Sequence, residues 1–105
     1  MNYEIVVESS ADDDIDRAYR WLKKNLSPEA ATLWYIDIFG ALESLKAFPA
    51  RCARAPEARF FKEEIRQLLC GKYRILFELD GDRVRVLHVR HSARKPLKPT
   101  RRSGG

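Results

Sequence analysis

Basic side chains crowd the end of this sequence, and their spacing bears on what chemistry they could do. Residues 83–105 carry eight Lys or Arg and no Asp or Glu, whereas the first 82 carry 12 basic and 15 acidic residues. The net charge of +5 is therefore −3 followed by +8. A one-signed block of this size draws polyanions or an acidic protein, and the plain alternative is a solvated tail that aids solubility. Arg74, Glu78, Arg83, Arg85 and His91 fall on one side of two alternating segments, with Leu76, Leu87 and Val89 between them. Arginines beside apolar residues suit a phosphate backbone or an acidic peptide. A solvated sheet face has the same composition, and spacing does not choose between these readings.

Metal and thiol chemistry find less support. His88 and His91 are three apart, which on a regular strand points them to opposite faces. They do not make a two-His metal site, and no metal or other cofactor is expected. His88 is in register with the apolar face, and His91 with Arg85. Cys52 and Cys70 form neither a C-x-x-C motif nor a disulfide framework, and read as free thiols. The acidic run at Asp12, Asp13, Asp14 and Asp16 falls in the first turns of a helix, where the dipole accounts for it.

The elements that must position these groups follow in a simple order. Residues 3–8 read as a strand rich in Val and Ile. Ser9-Ser10 offers a helix N-cap, and Ile15, Ala18, Tyr19, Leu22 and Leu26 form one apolar stripe at steps of three and four. Ser27 and Pro28 open a second helix that runs to about Phe48, with a stripe of Ala31, Trp34 or Tyr35, Ile38, Leu42, Leu45 and Phe48. So short a connection makes the two helices antiparallel. Residues 50–58 show neither period and read as a loop. Strands follow at 65–70, 73–79 and 83–91, turned by Gly71-Lys72 and by Asp80-Gly81-Asp82, a hairpin signal.

The expected fold is α+β, ordered β-α-α-β-β-β, with a helical hairpin on one face of an antiparallel sheet and the first strand joining at its edge. Ile38, Leu42, Leu45, Ile75, Phe77 and Val86 are expected in its core. At 105 residues and 45% hydrophobic, the chain fits one domain, residues 1–97, with a basic, disordered tail at 98–105. No apolar run approaches the ~20 residues of a membrane helix, and the N-terminus lacks a secretion signal. A cytoplasmic protein without membrane contact is expected.

Two segments and their order carry a family resemblance. Residues 66–77, Arg-Gln-Leu-Leu-Cys-Gly-Lys-Tyr-Arg-Ile-Leu-Phe, and residues 84–94, Val-Arg-Val-Leu-His-Val-Arg-His-Ser-Ala-Arg, resemble the closing strands of toxins of the RelE/ParE superfamily. Leu45-Lys46-Ala47-Phe48-Pro49 also fits. The resemblance covers residues 3–97 and implies the toxin of a type II toxin–antitoxin module, a class associated with plasmid stabilization. It would be neutralised by an acidic antitoxin whose disordered segment folds on it, over exposed Leu76, Leu87 and Val89 or against the helical hairpin.

Two targets follow from the resemblance. In the RNase branch, basic side chains hold ribosome-associated mRNA at the scissile phosphate. Arg74 and Arg94 match two such arginines, and His91 is the better candidate to carry a proton, ahead of His88 and Glu78. Arg66, Arg83, Arg85, Arg90 and Lys95 are the accompanying RNA- or antitoxin-binding candidates. The lysines some members place on the preceding strand are absent, as is their C-terminal tyrosine, and cleavage requires proton transfer as well as charge. This incomplete set resembles the branch that inhibits DNA gyrase without catalysis. A non-catalytic nucleic-acid- or protein-binding module using the basic face is the alternative. Arg74 is expected to project freely from the sheet or to pair with Glu78, and in either case to matter little for folding.

Overall fold

The computed structural model describes residues 2–96. Their elements are β1 (Glu4–Val7), α1 (Ser9–Asn25), α2 (Pro28–Ser44), two short 3-10 turns (Pro49–Arg51 and Pro56–Phe60), β2 (Arg66–Cys70), β3 (Tyr73–Asp80) and β4 (Arg83–His91). The expected α+β order is present. The tail expected at 98–105 lies outside the described residues.

Local chemistry explains most boundaries. Ser27 Oγ accepts from the Ala30 N–H at 3.0 Å, and Pro28 occupies the first helical position of α2, where its missing N–H is no loss. Gly81 at φ 62° makes the tight turn between β3 and β4. The start of α1 differs from expectation. Glu8 occupies the cap position without a side-chain bond, and Ser10 sends its hydroxyl elsewhere.

The sheet runs β1-β4-β3-β2. β2, β3 and β4 pair antiparallel, but β1 lies parallel to β4, so the sheet is mixed rather than wholly antiparallel. Parallel neighbours require a long crossover, and here all the chain between β1 and β4 supplies it. One face receives the helical hairpin. Ile15, Ile38, Leu42 and Leu45 pack there against Ile75, Phe77, Val84, Val86 and Val89, and all six expected core residues are at most 3% exposed.

The opposite face was expected to meet solvent and instead lies under residues 50–65. Ala55, Ala58 and Ile65 form a second apolar cluster with Leu76, which is buried, while Phe61 and Leu87 pack partly against it. A β-bulge in β4 decides which side chains share that face. Phe77 stands opposite Val86 but Leu76 opposite His88, so Leu87 is an extra residue and alternation reverses beyond it. Val89 and His91 therefore turn to the helical side, while His88 turns away. The positions expected for all three residues are thus corrected.

β1 stops at Val7, leaving the edge of β4 beyond Val86 without a strand partner. Side chains of α1 take over that edge. Ser10 Oγ donates to the Leu87 carbonyl at 2.6 Å, and Asp14 Oδ2 accepts from the Val89 N–H at 3.0 Å. Asp14 Oδ2 also lies 2.9 Å from His88 Nδ1. Burial pushes the Asp14 carboxyl up, but the bonds from His88 and Val89 outweigh it and hold the group below its ordinary value.

Past α2 the chain makes a strained turn. Phe48 adopts φ 49° and ψ 53°, left-handed geometry that costs an L-residue about 1–2 kcal/mol.

Candidate functional site

Arg74 projects from β3 away from the helices, as expected, but it is 7% exposed rather than free. Its Nη1 donates to Glu57 Oε1 at 2.9 Å and its Nη2 to Glu57 Oε2 at 2.7 Å, and Nη1 also reaches Gln67 Oε1 at 3.0 Å. The hydrogen bond to Glu57 raises the arginine's pKa and burial opposes it, so the guanidinium stays charged and committed. Glu57 is wholly buried in the Pro56–Phe60 turn. Neither an open phosphate grip nor an Arg74–Glu78 pair describes this side chain. Glu78 faces Arg85 instead, at 3.4 Å, and burial raises its carboxyl pKa, with Arg85 opposing the shift.

Arg90 lies directly across the strands from Arg74. Burial lowers its pKa and the positive charge of Arg94 adds to that shift. Its Nη2 donates to the Lys95 carbonyl at 2.9 Å, while its Nε is buried without a partner among the described residues. Arg90 therefore feels the charges of both Arg94 and Arg74, with Glu57 as the buried counter-charge. This is the closest the basic candidates come to a cluster.

The remaining candidates are dispersed. His91 sits on the helical side, its ring 5.2 Å from that of Tyr73 at 74°, and its Nδ1 accepts from the Ala93 N–H at 3.0 Å. Arg94 is exposed in the turn after β4 and lines, with His91, Tyr73, Arg17 and Trp21, a groove of ≈ 640 Å³. Lys95 is exposed beside it. Arg83 meets Glu4 at 3.4 Å and Arg85 meets Glu8 at 3.3 Å, so parallel pairing of β1 with β4 brings part of the basic block against the acidic first half. Arg66 donates to the carbonyls of Ala50 and Cys52, at 3.2 and 2.6 Å, and thereby ties the 50–65 segment to β2.

The three catalytic candidates thus do not converge on one point. Arg74 is closed off on one face, His91 packs on the other, and Arg94 stands at the rim. No group of three potential metal ligands occurs among the described residues, and no helix among them is long and apolar enough to cross a membrane.

Sequence reasoning missed both Glu57 and the outer side of α2. Glu57 lies 17 positions from Arg74 within a stretch lacking either period, so no local signal marked it. The outer side of α2 had a signal: it carries Leu33, Ile36 and Phe39 at 64, 59 and 40% exposure, although the inner side already supplies the core. A helix that is apolar all round needs cover on both sides. Phe39 joins Tyr3, Ile5, Val7 and Lys46 in lining a groove of ≈ 530 Å³ beside β1, the edge strand of the sheet.

Comparison with known proteins agrees with this architecture. The model of the ParE toxin of the type II toxin–antitoxin system parDE matches residues 5–96. The chain therefore belongs to the ParE toxin family of type II toxin–antitoxin systems. Among solved structures it is similar to a chain of the chromosomal ParDE system from P. aeruginosa, with TM-score 0.69 and 18% identity over 85% of this chain and 95% of that one. It is also similar to a chain of the toxin–antitoxin complex RelBE2 from Mycobacterium tuberculosis, with TM-score 0.57 and 20% identity over 87% and 99%. At these identities the likeness is one of fold. No curated protein matches the sequence.

Proposed function

We propose that this toxin arrests growth by binding a protein target, DNA gyrase by its resemblance to the gyrase-inhibiting branch, rather than by cleaving messenger RNA. The observation that carries this reading is the closure of Arg74. A guanidinium already held by both Glu57 oxygens has lost the fork geometry with which it would grip a phosphate. Freeing it would break a buried ion pair, which costs several kcal/mol. His91, the proton carrier expected to act with Arg74, packs on the other face, so the expected pair does not meet at one phosphate.

We further propose that a cognate antitoxin neutralises the chain on the outer side of α2 and the groove beside β1. Leu33, Ile36 and Phe39 suit the apolar face of an amphipathic segment, and an edge strand accepts an added strand through its main chain. Of the residues expected to receive that segment, Leu76 is buried under residues 50–65 and Val89 lies in the core on the helical side, which argues against the basic sheet face as the docking surface. Apolar docking of this kind depends only weakly on salt.

Induction from a tight promoter, with message integrity and plasmid supercoiling followed in parallel, tests the target. Supercoiling is expected to change while messages remain intact. Early message cleavage that Arg94→Ala abolishes would overturn the reading.

A further inference from the structure

Phe48 combines two properties that packing does not reconcile. Among the described residues it is the only non-glycine residue at positive φ, and it is the most exposed of the large apolar side chains, at 80%. A ring that touches so little of its own fold does not offset the strain of its backbone. The strain is nonetheless enforced from several directions. Pro49 is fully buried on one side, and Arg51 Nη1 donates to the carbonyls of Ala47 and Phe48 at 2.7 and 3.1 Å. The Arg51 N–H adds a 3.0 Å bond to the Phe48 carbonyl, and Tyr3 of the neighbouring strand segment donates to Lys46 O at 2.9 Å. Strained backbone held in this way clusters at ligand clamps and switch regions.

The result is an aromatic ring on a backbone that is already ordered, so binding it elsewhere loses little further freedom. Aromatic anchors of this type dominate protein interfaces when they enter a desolvated pocket. The charges beside it identify the pocket. The Lys46 ammonium is held by Glu43 at 2.9 Å. Arg51 contacts two carbonyls and, at 3.5 Å, the Ser44 hydroxyl, so its charge meets no carboxylate among the described residues. One uncompensated cation is too few to hold a duplex, whose binders neutralise several phosphates.

We propose that Phe48, with Arg51 behind it, is the anchor by which this toxin enters an apolar, acid-rimmed pocket on the protein it inhibits. The proposal rests on the protein-binding reading above and adds the contact surface.

Phe48→Gly separates the ring from the fold, because glycine takes the left-handed conformation without penalty. The purified variant is expected to melt at or above the wild-type temperature. Its affinity for the inhibited protein is expected to fall about ten-fold or more, the factor that loss of one interface anchor produces, and induction from the same promoter is expected to leave more survivors. Phe48→Trp keeps an aromatic anchor and retains growth arrest. Undiminished arrest by Phe48→Gly overturns the proposal, and so does a melting temperature several degrees lower, which would give the ring a folding role. Wild-type binding to a short labelled DNA duplex that Phe48→Gly loses would make the pocket a nucleic acid and also overturn it. A wild type that does not arrest growth removes the toxin reading and this proposal together. An active wild type with an equally active Phe48→Gly removes the anchor alone.

Discussion

The two faces of the sheet are covered by different means. Toward α1 and α2, alternate residues of β3 and β4 are apolar, and a helical hairpin with matching stripes closes over them. On the other side, Arg74 and Leu76 of β3 are buried by residues 50–65, a segment with little regular structure. The first face is held chiefly by apolar burial, with Ser10 and Asp14 of α1 bonding the edge of β4. The second is held by a small apolar cluster, a buried ion pair and the Arg66 bonds to Ala50 and Cys52. A charged residue in an alternating strand therefore does not mean a solvated face. A loop that brings one carboxylate can cover it, at the cost of using the guanidinium that would otherwise meet a ligand.

The largest expected effect tests the helical face. Phe77→Ala should lose about 3–5 kcal/mol in urea unfolding, and a loss below about 1 kcal/mol would place Phe77 on the wrong side of the sheet. Arg74→Ala tests the loop face. It breaks the buried ion pair with Glu57 and should lose about 3 kcal/mol or more, where an exposed arginine would lose almost nothing. The double variant Arg74→Met with Glu57→Leu should lie within about 1 kcal/mol of wild type, since an apolar pair of similar volume often replaces a buried ion pair without loss. If the double variant is as unstable as the single one, the pair is not the unit that holds this face.

A smaller effect reports the seam between α1 and the bulged part of β4. Asp14→Asn removes the charge that His88 and the Val89 N–H stabilise, and should lose about 1–3 kcal/mol at neutral pH. The Asp14 carboxyl has its folded pKa held below the unfolded one. Its contribution is therefore complete above the unfolded value and is lost as pH falls through the folded value, below about 4. The gap between wild type and Asp14→Asn should narrow in acid, and thermal melts at a series of pH values that show it widening would contradict the assignment. The smallest effect belongs to Arg94→Ala. That side chain is exposed after β4, so its melting free energy should stay within about 0.5 kcal/mol of wild type. Its growth arrest should also persist, whereas an RNase site would lose activity.

Legibility followed the range of the interactions. Ser27 with Pro28, Gly71-Lys72 and Asp80-Gly81-Asp82 were readable because each acts over a few residues. The inward stripe of α2 was readable too, including Ile38, Leu42 and Leu45. The orientation of His88, Val89 and His91 was not, because one extra residue at Leu87 reverses every side chain beyond it. Such a register shift is chosen by pairing with β3 and by the grip of Ser10 and Asp14 on the strand edge. Of the candidate site, the side of the sheet from which Arg74 leaves was legible, but its partner was not.

The sequence alone therefore determined the order of elements, the helical hairpin, the apolar face of β3 and the family to which the strand motifs point. These rest on periodicity, turn chemistry and local caps, all written into neighbouring residues. Only the tertiary structure decided that β1 runs parallel to β4 and that Arg83 and Arg85 meet Glu4 and Glu8. It alone decided that Arg74 belongs to Glu57 and that α2 keeps an apolar side uncovered. Each of these depends on which distant segments the chain brings together, and in an irregular loop such as residues 50–65 no period announces the meeting.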